Sequence, residues 1–237
     1  HVLYCPGSRS APFAYALEAG SFSGDARPIL DERGAGFAAV GLARTGALPA
    51  IVVTSGTAVA ELAPAVLEAS HARLPLLVLS ADRPGELRGV GASQATHQSG
   101  FFGMHVRASI DLEPQEASPS LVGHLARAVA AACGAPSGTP GPVQINVAFR
   151  DPLTPVRPAS DSGDEVGASF VPRSTRVMGA PAVPARWEDV VGPAVAGLIV
   201  AGEGASPRAR EWSEASGFPL LAEPASGAWR GGGVTPF

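Results

Sequence analysis

The chain contains no lysine: all 17 of its basic residues are arginine. That absence excludes a Schiff-base lysine and a P-loop lysine whatever the fold. It also fits a high-GC codon bias, in line with the abundance of Ala, Gly, Pro and Arg. Cysteine is nearly as scarce. Cys5 and Cys133 are the only two, with no CxxC pair and no metal-ligand spacing, and the five histidines (His1, His71, His97, His105, His124) form no HExxH. Two buried, unpaired thiols in a reducing cytoplasm are expected. No apolar run approaches the ~20 residues that span a bilayer. No signal-peptide pattern shows in the opening His-Val-Leu-Tyr-Cys-Pro, so a cytoplasmic location and no membrane span are expected. Charged residues make up only 16%, with a net charge of −4. A nucleic-acid partner held by broad positive charge is therefore not expected.

What is present is apolar and turn-rich: 46% hydrophobic residues, 29 Gly and 23 Pro in 237 residues. That is enough chain to bury a core and too apolar for general disorder. Residues 2–5 read as a strand and Pro6 to Ser10 as a turn. A helix is predicted over 11–19, with Ser10 as N-cap, Pro12 in its first turn and Gly20 as its stop. Another helix is predicted over 32–45, ending at Gly46, with Phe37, Val40 and Ala43 at helical spacing. Ala50 to Thr54 is a compact buried strand. Ser55-Gly-Thr57 then turns into a helix over 58–71, kinked at Pro64. A strand over 75–81 opens into a polar stretch from Asp82 to Gly100, which carries Arg83, Arg88, Gln94, His97 and Gln98. A helix over 121–133 ends at Gly134, and a strand follows over 143–147.

Apolar strands alternating with helices indicate a parallel sheet covered on both faces. Residues 1–150 are therefore expected to form one doubly wound α/β domain. Residues 151–186 are rich in Pro, Ser, Gly and Asp and read as a linker. Over 187–237 the pattern restarts with a strand at 196–201, a helix at 206–216 closed by Gly217, and a strand at 219–223. One such βαβ unit is expected to be the start of an incomplete, truncated Rossmann-like domain. The first strand likewise opens with no lead-in.

Loops at the carboxyl ends of strands are where doubly wound sheets bind ligands. Pro6-Gly-Ser-Arg, Thr54-Ser-Gly-Thr and Ala81-Asp-Arg-Pro occupy such places. Ser8 and Arg9 beside a helix start offer hydroxyl, guanidinium and free N–H groups to a carboxylate or phosphate, or else form a capped turn with a surface Arg. Asp31-Glu-Arg33 opens a helix, where an acid also interacts favourably with the helix dipole. Gly202-Glu-Gly204 after a strand is a weak nucleotide-loop signal.

Cys-Pro-Gly-Ser-Arg-Ser-Ala-Pro (5–12), Asp-Glu-Arg-Gly-Ala-Gly-Phe (31–37), Thr-Ser-Gly-Thr-Ala-Val-Ala (54–60), Ser-Ala-Asp-Arg-Pro-Gly-Glu-Leu (80–87), Gly-Ala-Ser-Gln-Ala-Thr-His-Gln (91–98) and Gly-Pro-Val-Gln-Ile-Asn-Val-Ala-Phe-Arg-Asp-Pro-Leu (141–153) occur in this order. Together they resemble the N-terminal, pyrimidine-binding domain of the 2-succinyl-5-enolpyruvyl-6-hydroxy-3-cyclohexene-1-carboxylate synthases, the MenD family. More loosely, Pro-Leu-Leu-Ala-Glu-Pro-Ala-Ser-Gly (219–227) resembles its middle domain. The resemblance implies a thiamine diphosphate enzyme of menaquinone biosynthesis that also needs Mg2+ or Mn2+. Such an enzyme decarboxylates 2-oxoglutarate and adds the succinyl-semialdehyde carbanion to isochorismate. By the same resemblance, Glu32 hydrogen-bonds the cofactor's aminopyrimidine and stabilises its imino tautomer. Thr57 helps seat the pyrimidine. Ser8, Arg9, Arg83 and Gln94 fall on positions that bind carboxylate substrates or intermediates.

The family's diphosphate and metal motif, Gly-Asp-Gly followed by a distant Asn, has no counterpart. Gly24-Asp25 and Gly163-Asp164 lack the following Gly, and the single Asn, Asn146, precedes the second of them. No metal ligand is expected in this chain. A second subunit is expected to complete the site in a homo-oligomer, and the chain alone is expected to be inactive. Two other readings stay open. One is the pyrimidine-domain chain of another thiamine diphosphate enzyme, acetolactate-synthase-like or a split 2-oxoacid decarboxylase. The other is a non-catalytic binding module on the same fold.

Overall fold

The computed structural model describes residues 1–19, 22–115, 118–155 and 196–229. The chain divides into two compact units, His1–Met178 and Gly179–Phe237. In the first unit the described elements run β1 (Val2–Tyr4), α1 (Ala11–Glu18), β2 (Ala26–Pro28), α2 (Glu32–Arg44), β3 (Ala50–Val53), α3 (Thr57–Ala60), α4 (Ala63–His71), β4 (Leu76–Asp82), β5 (Ala108–Leu112), α5 (Pro119–Ala132) and β6 (Pro142–Ala148). The six strands form one sheet in the order β2-β1-β3-β4-β6-β5, with every pairing parallel. This is a doubly wound α/β fold.

Two-residue alternation sends each strand's side chains to opposite faces, and both faces are covered. On one face Leu3, Ile51, Val53, Leu76 and Val78 pack with Ala35, Ala39 and Val40 of α2 and with Ala65, Val66 and Ala69 of α4. On the other, Val143 and Ile145, with Leu77 and Leu79, pack against Ala128 and Ala132 of α5. The chain steps from β1 outward to β2 and then returns across β1 to β3. A reversal of this kind opens a crevice at the carboxyl ends of β1 and β3.

Several local features depart from the sequence pattern. The helix expected over 58–71 is two helices, α3 and α4, because Pro64 lacks an N–H and sits in the first turn of the second helix, where none is needed. Two edge strands carry no apolar signature: β2 is Ala-Arg-Pro, exposed throughout, and β5 alternates. Ser10 flanks α1 but does not cap it; its hydroxyl donates to the carbonyls of Cys5 (3.3 Å) and Gly7 (3.1 Å) and fixes the turn instead. Helix α5 starts earlier than expected, at Pro119, where the Ser118 hydroxyl accepts the Leu121 N–H. Cys5 is buried as expected, but Cys133 is exposed, because it lies just past the end of α5.

The second unit is described over 196–229 and holds β7 (Ile199–Ala201), α6 (Arg208–Ser216) and β8 (Leu220–Ala222), with β7 and β8 parallel. Gly217 closes α6 at φ +72°, the left-handed conformation that a helix stop favours. Its small core is Ala201, Ala209, Ala222 and Ala228. Most of the expected linker, from residue 156 on, lies outside the described residues, as does the expected stop at Gly20. Among the described residues no helix is long and apolar enough to cross a membrane.

Burial, with the nearby Glu32 and Asp31 carboxylates adding to it, pushes the Cys5 thiol up to about 12. At pH 8 it is therefore protonated and shielded. A thiol reagent should label Cys133 alone in the folded protein and Cys5 only in denaturant; equal labelling rates would contradict this. Because the folded value is raised, the contribution is intact below 9.0 and is lost as pH climbs towards about 12. Replacing Cys5 by Ala should flatten that alkaline loss in a denaturant titration.

Candidate functional site

Three loops meet at the carboxyl edge of the sheet. The first, after β1, carries Ser8 and Arg9 into α1. It lies so close to the second, after β3, that a Cβ on Gly7 would sit 2.4 Å from the Thr54 Cβ. Only glycine fits there. The third loop leaves β4 at Asp82 and carries Arg83, Gln94 and Gln98.

Arg9 is drawn inward. Its Nη1 donates to the Phe149 carbonyl (2.9 Å), while the exposed carboxylate of Asp151 is 3.9 Å away. Its Nε is buried and makes no hydrogen bond among the described residues. Arg83 donates from Nη1 to the Ser55 hydroxyl and to the Gln94 carbonyl (2.7 Å). Burial, and then the neighbouring Arg9 cation, push the Arg83 guanidinium below its usual value. Two guanidinium groups thus share one edge, and such a pair attracts an anion. Gln94 holds a left-handed φ of +54°, and its Nε2 donates to the Ser55 carbonyl (2.8 Å). The structure therefore brings Arg83 and Gln94 together around Ser55, with Arg9 as a neighbouring cation of Arg83.

The remaining candidates line the same edge separately. Ser8 is exposed on the turn before α1. Glu32 is the first residue of α2, half-buried, behind an N-cap in which the Asp31 carboxylate accepts the Gly34 N–H (2.7 Å). Among the described residues no hydrogen bond or ion pair engages the Glu32 carboxylate. Thr57 is exposed at the start of α3, after Gly56 at φ +80°. No described contact joins Glu32 or the Thr57 side chain to the arginine cluster.

Beneath the loops lies a polar network that no motif announces. Asn146 donates to Asp82 (2.8 Å) and Asp111 (2.7 Å) and accepts from Ser80 (2.9 Å) and Gln98 (3.1 Å). Arg88 pairs with Asp111 (2.8 Å), Asp82 (3.3 Å) and Glu113 (3.3 Å), and its Nε donates to the Arg83 carbonyl (2.8 Å). Burial opposes the Arg88 charge, yet these carboxylates hold its guanidinium above the usual value. The one sequence signal for it is Gln144 and Asn146, two amides on one face of an otherwise apolar strand. An apolar groove of about 680 Å³ runs between α1 and α5, lined by Phe13, Leu79, Leu121 and Ile145, and no candidate residue lines it.

Residues 1–101 match the family described as thiamine pyrophosphate enzyme, N-terminal TPP binding domain. Curated relatives carry the name 2-succinyl-5-enolpyruvyl-6-hydroxy-3-cyclohexene-1-carboxylate synthase. The protein of Kineococcus radiotolerans is 49% identical over 98% of this chain and 42% of its own length. That of Arthrobacter sp. is 46% identical over 95% of this chain and 37% of its own. That of Myxococcus xanthus is 42% identical over 98% of this chain and 42% of its own. Along its length the chain is similar to these synthases. It spans about two fifths of their length.

Two weak motif signals are structural in this chain. The Glu203 N–H in Gly202-Glu-Gly204 donates to the Glu223 carboxylate (3.2 Å), so an acid occupies the loop where a phosphate cradle needs an anion's place free. Asp25 pairs with Arg27 (2.9 Å) and His1 (3.3 Å). Gly163-Asp164 lies outside the described residues. Among the described residues no cluster of three or more His, Cys, Asp or Glu is arranged for a metal.

The Gly7 contact makes a direct prediction. Gly7→Ala should destabilise the fold by about 1–3 kcal/mol, the usual range for overpacking. Thr54→Gly, which removes the opposing Cβ, should restore part of the loss in urea unfolding, whereas Thr54→Ser should not.

Proposed function

We propose that this protein is the pyrimidine-binding part of a thiamine diphosphate synthase that decarboxylates 2-oxoglutarate and adds the resulting four-carbon unit to isochorismate, in menaquinone biosynthesis. The observation that carries the reading is the pair of inward-drawn guanidinium groups, Arg9 and Arg83, on adjacent loops at the carboxyl edge. Both substrates are multiply anionic, and a paired arginine site suits them better than it suits a small monocarboxylate.

The residues at this edge fit the aminopyrimidine end of the cofactor. The Glu32 carboxylate is half-buried and uncommitted among the described residues, free to share a proton with a ring nitrogen. Thr57 stands at the next loop of the same edge to seat the ring. When bound, the cofactor supplies the carbon nucleophile and the electron sink for decarboxylation. Glu32 holds a proton at its carboxylate oxygen and so sets the ring's protonation state. Ser8, Arg9, Arg83 and Gln94 bind and orient the substrate carboxylates. In this reading Mg2+ or Mn2+ and the diphosphate are held by a second subunit of a homo-oligomer in the cytoplasm. Residues 1–150 form the pyrimidine domain, 151–186 the linker and 187–237 the start of the middle domain.

Assay of the full-length protein tests the reading. With 2-oxoglutarate and isochorismate it should turn over, and with pyruvate alone it should not. Pyruvate turnover would indicate an acetolactate-synthase-like enzyme. Glu32→Gln should lower kcat by about 10²-fold or more, the usual weight of a positioned proton-transfer group. Unchanged turnover would instead support a non-catalytic role for this edge. The 237-residue chain on its own should show no turnover.

A further inference from the structure

One peptide unit at the site is gripped at both ends by the same loop. The Ser55 carbonyl accepts from Gln94 Nε2 (2.8 Å), and the Gly56 N–H on the other side of that peptide donates to Gln98 Oε1 (2.8 Å). The two glutamines differ sharply. Gln94 is exposed at the edge, whereas Gln98 is 1% exposed. The Gln98 amide has a single sensible orientation, since Nε2 donates to two acceptors, the Ala81 carbonyl (3.0 Å) and Asn146 Oδ1 (3.1 Å). The main-chain carbonyl of Gln98 accepts from the buried Gln144 Nε2 (2.7 Å). Gln98 is thus a fixed post joined to the strands below.

We propose that Gln98 is a positioning residue for the substrate site. It fixes the Ser55–Gly56 peptide through the Gly56 N–H, and that peptide aims the Gln94 amide. The proposal rests on the reading of Gln94 as a substrate contact. Without the Gln98 oxygen, the Gly56 N–H would be buried and unpaired, a cost that favours rotation of the peptide. Rotation carries the Ser55 carbonyl away from Gln94 Nε2. The glycine at φ +80° permits such rotation, because Gly56 has no Cβ to oppose it.

The test is a double-mutant cycle in the full-length protein, with Gln98→Met, Gln94→Ala and the pair. Gln98→Met alone should raise KM for the carboxylate substrates about tenfold, with kcat within about threefold. Added to Gln94→Ala, it should change KM by less than about twofold, because its effect passes through Gln94. Losses that multiply in the double variant would mean a merely structural role and would overturn the proposal. If Gln98→Met fails to fold, Gln98→Asn, which withdraws the same amide by one methylene, enters the same cycle. A crystal structure of the folded Gln98 variant reads the proposal without any activity. It should show the Ser55–Gly56 peptide rotated and Gln94 released from the Ser55 carbonyl; an unchanged peptide would refute it. Wild-type protein that does not turn over 2-oxoglutarate and isochorismate would count against the proposed reaction, and the crystal structure would still decide the role of Gln98.

Discussion

Asn146 fills all four of its side-chain hydrogen-bonding positions inside the protein, reaching Ser80 and Asp82 on β4, Asp111 on β5 and Gln98 on the loop between those strands. Each of the buried groups among them (Ser80, Asp82, Gln98 and Asn146 itself), left unpaired, would cost about 1–3 kcal/mol. One amide therefore ties the carboxyl ends of three neighbouring strands to the loop above them. In a parallel sheet the carboxyl edge is also the ligand edge. The rigidity of the site then comes from polar groups rather than from apolar packing, which lies deeper, against α2, α4 and α5.

The same network governs the electrostatics. Acids at the strand ends are engaged by Arg88 and Asn146, so they offset the guanidiniums in front of them only in part. Arg9 is left with an exposed, distant acid partner and Arg83 with neutral acceptors. A chain of net charge −4 thereby presents a locally cationic edge. Arginine suits this work, because its weakly hydrated, planar head tolerates burial better than an ammonium does.

Much of this could be read from the residues. The four inner strands are apolar runs, α2 has both a helical period and an Asp cap, and the three loops follow strand ends. The edge strands β2 and β5 were invisible because an edge needs little apolar surface. The division of α3 from α4 depended on whether Pro64 bends a helix or begins one, which local packing decides. Ser10 shows the same limit: the residue type suits a cap, but a nearer carbonyl pair claims the hydroxyl. The candidate residues themselves were legible from motif resemblance. What aims them was not, since Gln98 and Gly56 are 42 residues apart and meet only in the folded chain.

The contact between Gly7 and Thr54 has a consequence for anyone who would re-engineer this edge. The two loops occupy a single shared volume, so neither is an independent module. A loop transplanted from a homologue to alter substrate preference must bring its opposite number with it, or the graft will collide before it can bind anything.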